Sequence, residues 1–256
     1  MILSPNPSAV DTQLERRHFL KIMAGAAGFL SIPAPLLHSA EPRGSLVNWG
    51  RVKFASAGAD QGNWGVHPQG DLNMVDYLSA NSSLQISNKW NVADVARIEE
   101  LAQFPFLYMH SEDTPALDDT ARANLREYLL RGGFLFAEDC VIGRGTHGRN
   151  NRNDFFFMGM MEELPRIMPE AKLERLPNDH PVFHTAYHMR GGMPHMQGTP
   201  HGLYGLTLNG RVLALLSPSD LHCGWTNGYK WFGADQVQQA LQMGTNIYLF
   251  AMTQEA

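Results

Sequence analysis

The segment running from residue 104 to residue 140 constrains this chain most. Phe104-Pro105-Phe106-Leu107-Tyr108-Met109-His110 is an apolar run that reads as a buried strand, ending in the polar turn Ser111-Glu112-Asp113-Thr114-Pro115. Leu117, Ala121, Leu125, Tyr128 and Leu129 then recur on one face of a helix. Asp118 and Asp119 sit at its positive N-terminus, and Glu127 stands four residues before Arg131. Gly132 stops that helix, and Phe134-Leu135-Phe136-Ala137-Glu138-Asp139 returns as a second buried strand. Strand, helix and strand joined by short links require a parallel pair. The fold class that follows is α/β, a doubly wound, mostly parallel sheet whose ligands collect beyond the C-terminal strand ends.

The remaining pattern fits one domain over residues 41–256. Residues 47–54 alternate as a first strand, and residues 62–70 form a loop of glycines carrying Trp64 and His67. Asp71 is placed to cap a helix with Val75 and Leu78 on its apolar face. Residues 83–86 read as a weak strand. Val95, Ile98 and Leu101 fall at helical spacing within residues 92–101. Asp154 is placed to cap a helix rich in Phe and Met that Pro165 ends or bends. Residues 172–176 form a strand candidate. Asn209-Gly210 joins residues 204–208 to 211–216 as a hairpin, putting an antiparallel edge on the sheet. Residues 217–225 read as a loop, and residues 235–252 as a helix pressed on the sheet, since no Lys, Arg, Asp or Glu lies between Gln236 and Thr253.

The N-terminus carries a different signal. Arg16-Arg17-His18-Phe19-Leu20-Lys21 matches the twin-arginine export pattern and precedes a modest apolar stretch over residues 22–30. Residues 1–40 are therefore expected to be a twin-arginine signal peptide, the translocase a partner during export, and the mature chain periplasmic or otherwise exported. Pro33 and Pro35 interrupt an apolar run already short of the ~20 residues that span a bilayer, so no stable membrane span is expected. A formal charge of -5 gives no basic footprint for nucleic acid.

Several side chains are placed to do chemistry at the strand ends. Asp139 with His180 is the more plausible proton-transfer pair, and Cys140 beside them completes a candidate catalytic group. His180, His222 and Cys223 form a candidate metal set, without a compact motif such as H-E-x-x-H. Trp64, His67 and Trp225 suit stacking on a small-molecule or carbohydrate ligand, although loop tryptophans also simply cover sheet ends. Arg144 and Arg149, among the glycines of residues 143–153, suit carboxylate, phosphate or sugar hydroxyls; a solvated loop is the alternative. The two cysteines, Cys140 and Cys223, leave both one disulfide and two thiols open. The sequence names no cofactor.

Val52-Lys53-Phe54, Pro105-Phe106-Leu107-Tyr108-Met109, residues 125–140, Leu176-Pro177-Asn178-Asp179-His180-Pro181-Val182-Phe183-His184, Asn209-Gly210-Arg211 and residues 217–225 together resemble the bacterial family called domain of unknown function 4159. The resemblance covers nearly all of residues 46–252. It implies a flavodoxin-like sheet similar to class I glutamine amidotransferases and to ThuA-like proteins, and it brings no activity. Cys140 stands where amidotransferases carry their nucleophile. A strained nucleophile turn needs small residues two positions either side, however, and here these are Glu138 and Ile142. Three readings follow: an exported ligand-binding or accessory protein, a metal- or cysteine-dependent hydrolase, or an interaction module of an envelope complex.

Overall fold

The structure is a computed structural model that describes residues 46–58, 61–141 and 154–254, without the side chains of residues 227–229. The expected signal segment, residues 1–40, and Arg144 and Arg149 lie outside the described residues. The strands are β1 (Gly50–Lys53), β2 (Asn91–Asp94), β3 (Phe106–Ser111), β4 (Phe134–Asp139), β5 (Lys172–Arg175), β6 (Tyr204–Leu208) and β7 (Arg211–Ser217). The helices are α1 (Pro68–Asn81), α2 (Ile98–Leu101), α3 (Asp119–Leu130), α4 (Phe155–Ile167), α5 (Leu221–Trp231) and α6 (Ala234–Thr253), with 3-10 turns at Asn63–Gly65 and Pro181–Phe183.

One seven-stranded sheet has the order β2-β1-β3-β4-β7-β6-β5. The first five are mutually parallel, and β6 runs antiparallel to both β7 and β5. The hairpin expected from Asn209-Gly210 therefore exists, with φ of 52° and 86° at those residues, as a two-residue turn of this kind requires. Its second strand joins the parallel body, and β5 is the outermost strand.

Strand alternation divides the apolar side chains between two layers. Phe106, Tyr108, Phe134 and Phe136 pack with Trp49, Trp225 and Tyr248 under α1, α5 and α6. Leu107, Met109, Leu135 and Ala137 pack on the other face under α3 and α4. Trp49 anchors the first layer, 4.9 Å from the Phe106 ring and stacked 5.9 Å from Tyr248. Each fully buried side chain of this size contributes about 1.5–3 kcal/mol through removal from water.

The two glycines before β4 act differently. Gly132 takes φ 101°, which ends α3. Gly133 lies against Tyr128, where an added Cβ would come within 2.3 Å of a ring carbon. That closeness lets the Tyr128 hydroxyl donate to the Phe134 carbonyl at 2.9 Å and accept from its N–H at 3.1 Å.

Local patterns mislead at four places. Residues 91–94 are strand, because parallel pairing of Asn91 to Asp94 with Gly50 to Lys53 outweighs the helical spacing of Val95, Ile98 and Leu101; helix begins only at Ile98. Residues 83–86 yield one isolated bridge, Val47 to Ile86. Residues 217–225 are not all loop, since α5 starts at Leu221. Asp154 makes no side-chain cap bond to α4, and Pro165 does not end that helix, which continues to Ile167. Among the described residues, no helix is long and apolar enough to cross a membrane.

Candidate functional site

The C-terminal end of the parallel strands carries an unusual buried charge. Arg51 of β1 points into the aromatic layer and is 0% exposed. Asp71, in the first turn of α1, meets it as a fork: Nη2 to Oδ1 at 2.5 Å and Nε to Oδ2 at 3.0 Å. Such two-bond pairing is the strong form of an Arg–carboxylate contact. Asp71 is thus a buried ion-pair partner, and the residue before the helix is His67, at φ 49°. Burial opposes the Asp71 charge, but Arg51 and a hydrogen bond from His222 outweigh it and hold the carboxyl well below its usual range. The Arg51 guanidinium also lies 4.8 Å from the Tyr108 ring centroid.

This ion pair positions two tryptophans. Arg51 Nη1 donates to the Trp64 carbonyl at 2.8 Å, and Trp90 Nε1 donates to Asp71 Oδ2 at 3.1 Å. The two indoles stack at 6.1 Å with an interplanar angle of 3°. Trp64 then forms one wall of a cleft of about 300 Å³ with Phe54, Val95, Lys53, Asp94 and Asp118. The cleft lies past the ends of β1 and β2, beside the point where the chain crosses over β1 to begin β3. That is the switch point of a doubly wound sheet.

Deeper in the molecule, β4 delivers two carboxylates to opposite faces. Glu138 faces α5 and accepts from the N–H of Leu221 at 2.9 Å and of His222 at 3.1 Å, from Tyr108 Oη at 2.9 Å and from Ser217 Oγ at 3.2 Å. Burial, followed by the neighbouring Asp220, pushes Glu138 up to about 8 despite these donors. Asp139 faces α4 and accepts from the Phe157 N–H at 2.6 Å, near that helix's N-terminus. Burial raises its pKa well above the usual value.

Beyond β3 and β4, His110, Cys140 and Asp220 converge: one donor atom from each lies within 4.8 Å of the others, and all are buried. The rings of His110 and His222 are 4.1 Å apart. Burial lowers both imidazoles from their usual value; His222 and then Arg51 lower His110 further, while the hydrogen bond to Asp71 pulls His222 partly back. Asp220, at φ 54°, accepts from the Val141 N–H at 3.2 Å, the Cys223 N–H at 3.3 Å and Gln197 Nε2. Cys140 and Cys223 form no disulfide, and they hydrogen-bond to each other. That bond pulls the Cys223 thiol down, but burial and Asp220 carry it up to about 11.

The expected site residues separate accordingly. Cys140, His222 and Cys223 come together, with Asp139 on the opposite face of its strand. His180 lies 5.4 Å from the ring of Phe250, which in turn faces Phe134 at the start of β4. It therefore sits toward the other end of the strands, away from Asp139, Cys140 and Cys223. Trp225 is a core residue, 3% exposed, whose indole N–H bonds the Ala240 carbonyl at 2.9 Å. His67 is exposed, 6.4 Å from the Trp231 ring. Arg51, His110 and Asp220 did not stand out in the sequence; Arg51 shares its side of β1 with the exposed Lys53, so alternation alone reads it as part of a polar face.

The family model described as Domain of unknown function (DUF4159) matches residues 51–252. The chain belongs to this family. The DUF4159 match opens at Arg51 and ends in α6, so it contains the whole buried cluster and every residue named for the cleft. No curated protein matches the chain at a significant level.

Proposed function

We propose that this DUF4159 protein is exported by the twin-arginine route and binds a small, neutral, hydroxyl-rich ligand, a carbohydrate or envelope-derived polyol, in the cleft walled by Trp64. The observation that carries this reading is the fixed aromatic wall beside a polar rim. Trp64 is held from behind by Arg51 and Trp90, so its placement costs a ligand little ordering entropy. The rim has one cation and two engaged carboxylates: Lys53 pairs with Asp94 at 3.1 Å, and Asp118 accepts from the Ala121 N–H at 2.8 Å as a helix cap. Carboxylates already engaged favour hydroxyl groups over an anion, and an aromatic face favours the apolar face of a sugar ring. A volume of about 300 Å³ stands at the small end of ligand pockets.

Titration calorimetry against a panel of mono- and disaccharides tests the binding half. A ligand of the panel is expected to bind the wild type and to lose at least about tenfold in affinity in Trp64→Ala, the equivalent of ~1.4 kcal/mol. A binder indifferent to Trp64→Ala, or a panel without any binder, ends the carbohydrate reading. The export half is tested by replacing Arg16 and Arg17 together with Lys. The precursor is then expected to stay inside the cell, and unchanged export removes the twin-arginine assignment.

A further inference from the structure

None of His110, Cys140 and Asp220 lines the cleft walled by Trp64. Each residue follows a different part of the sheet: His110 belongs to β3, Cys140 follows β4, and Asp220 follows β7. Their donor atoms lie within 4.8 Å of one another with every residue buried. We propose that His110, Cys140 and Asp220 hold a first-row divalent ion of the zinc type, with Cys223, which lies outside the 4.8 Å group but hydrogen-bonds to Cys140, drawn in as the fourth donor.

The donor chemistry selects the ion. Imidazole, thiolate and carboxylate together suit zinc and its neighbours, whereas magnesium and calcium take oxygen ligands almost exclusively. Metal–ligand bonds of about 2.0–2.3 Å set the edges of a tetrahedron at roughly 3.3–3.7 Å. A spread of 4.8 Å therefore contracts by about 1 Å to close on an ion.

The unused valences point the same way. His110 Nε2 is buried without a hydrogen-bond partner among the described residues. Its other nitrogen, Nδ1, is 3.4 Å from Arg51 Nη1, which already donates to the Trp64 carbonyl at 2.8 Å. The longer contact is too weak to fix the tautomer, so Nε2 is the ring atom open to a ligand. Asp220 Oδ2 accepts from the Val141 N–H and Gln197 Nε2 and Oδ1 accepts from the Cys223 N–H, so of the about four lone-pair sites of a carboxylate one remains for a metal once the Cys223 thiol that also bonds Asp220 gives up its proton. No Lys or Arg forms a salt bridge with Asp220 among the described residues. A thiolate and a carboxylate would together balance a divalent charge. Cys223, one turn into α5, hydrogen-bonds to Cys140 and lies 3.5 Å from Gln197 Nε2. With Cys223 drawn in, four protein donors at a buried position give a structural site, one without an open position for catalysis.

The test uses the full chain, purified under reducing conditions without chelator or a metal-affinity column. Elemental analysis is expected to give about one zinc per chain, and reduced, metal-stripped protein to take up one Co2+ with a sulfur-to-cobalt charge-transfer absorption. Metal removal lowers the thermal midpoint, because the ligands are together only in the folded chain. Cys140→Ser and Asp220→Asn are each expected to abolish the cobalt absorption or weaken uptake at least about a hundredfold while circular dichroism stays native. Should either variant fail to fold, the other carries the test, and the wild-type cobalt titration decides without them. Folded, reduced protein that takes up neither Co2+ nor Zn2+ at stoichiometry overturns the proposal, as does uptake that persists in both folded variants. Neither outcome bears on carbohydrate binding at Trp64, which can fail or hold by itself.

Discussion

Asp71→Asn is expected to lower the free energy of unfolding by about 3–5 kcal/mol, a large share of the whole for a domain of this size. The carboxylate is the only formal countercharge bonded to Arg51 among the described residues, and both groups are essentially removed from water. An amide keeps the shape but leaves a buried guanidinium unpaired. Removing both charges, as in Arg51→Met with Asp71→Leu, is expected to cost much less than Asp71→Asn alone, because a buried pair repays little more than its own desolvation. Urea titrations of the three proteins measure this ordering. The effect carries a pH signature. A carboxyl held below its ordinary value stabilises fully above about pH 4 and loses that contribution as pH falls toward its folded pKa. The gap between wild type and Asp71→Asn should therefore narrow in acid. A gap that stays constant from pH 7 to pH 3 would show that lost packing, and not lost charge, is responsible.

Glu138→Leu is expected to cost at least about 3 kcal/mol, since it strands the first two amides of α5 and two hydroxyls, each worth about 1–3 kcal/mol when buried without a partner. Glu138→Gln separates charge from hydrogen bonding. With the carboxyl pushed up to about 8, the neutral acid predominates at pH 7, and the amide resembles it. The hydroxyls of Tyr108 and Ser217 can turn to accept from the new NH2 group. The glutamine variant should then keep most of the stability that leucine loses, as read by denaturant midpoints at pH 7. Equal losses in the two variants would mean that Glu138 is ionised in the native protein.

Where structure follows from a local period, the sequence reveals it. The run from β3 through α3 to β4 shows in the alternation of apolar residues and in Gly132, and the β6–β7 hairpin shows in Asn209-Gly210. What stays hidden depends on partners distant in the chain. The N-terminus of α5 has its cap in Glu138, some eighty positions earlier, so residues 217–225 look like loop when read alone. Asp71 satisfies the local rule for a helix cap, but Arg51 claims it from twenty residues away. β2 resembles a helix until its pairing with β1 is known. The site was legible only in parts: the strand ends pointed to Cys140, His222 and Cys223, while His110 and Asp220 needed the folded distances. His180 lies apart from Asp139, Cys140 and Cys223 because the end of the sheet to which the segment after β5 returns is not written in its own residues.

The insertion of β7 beside β4 has a consequence for the order in which the molecule forms. Leu135 pairs with Ala214, so the parallel body stays open until the β6–β7 hairpin has been made and docked. Pairings this remote in sequence close a long loop before any contact rewards it, and they tend to come late. A nascent chain released just after β4 would hold the β3–β4 pair and α3, with the edge of β4 bare and apolar. Such an edge invites pairing with other chains. Cys140 and Asp220 meet only when β7 fills that edge, which makes their convergence a marker of completed folding.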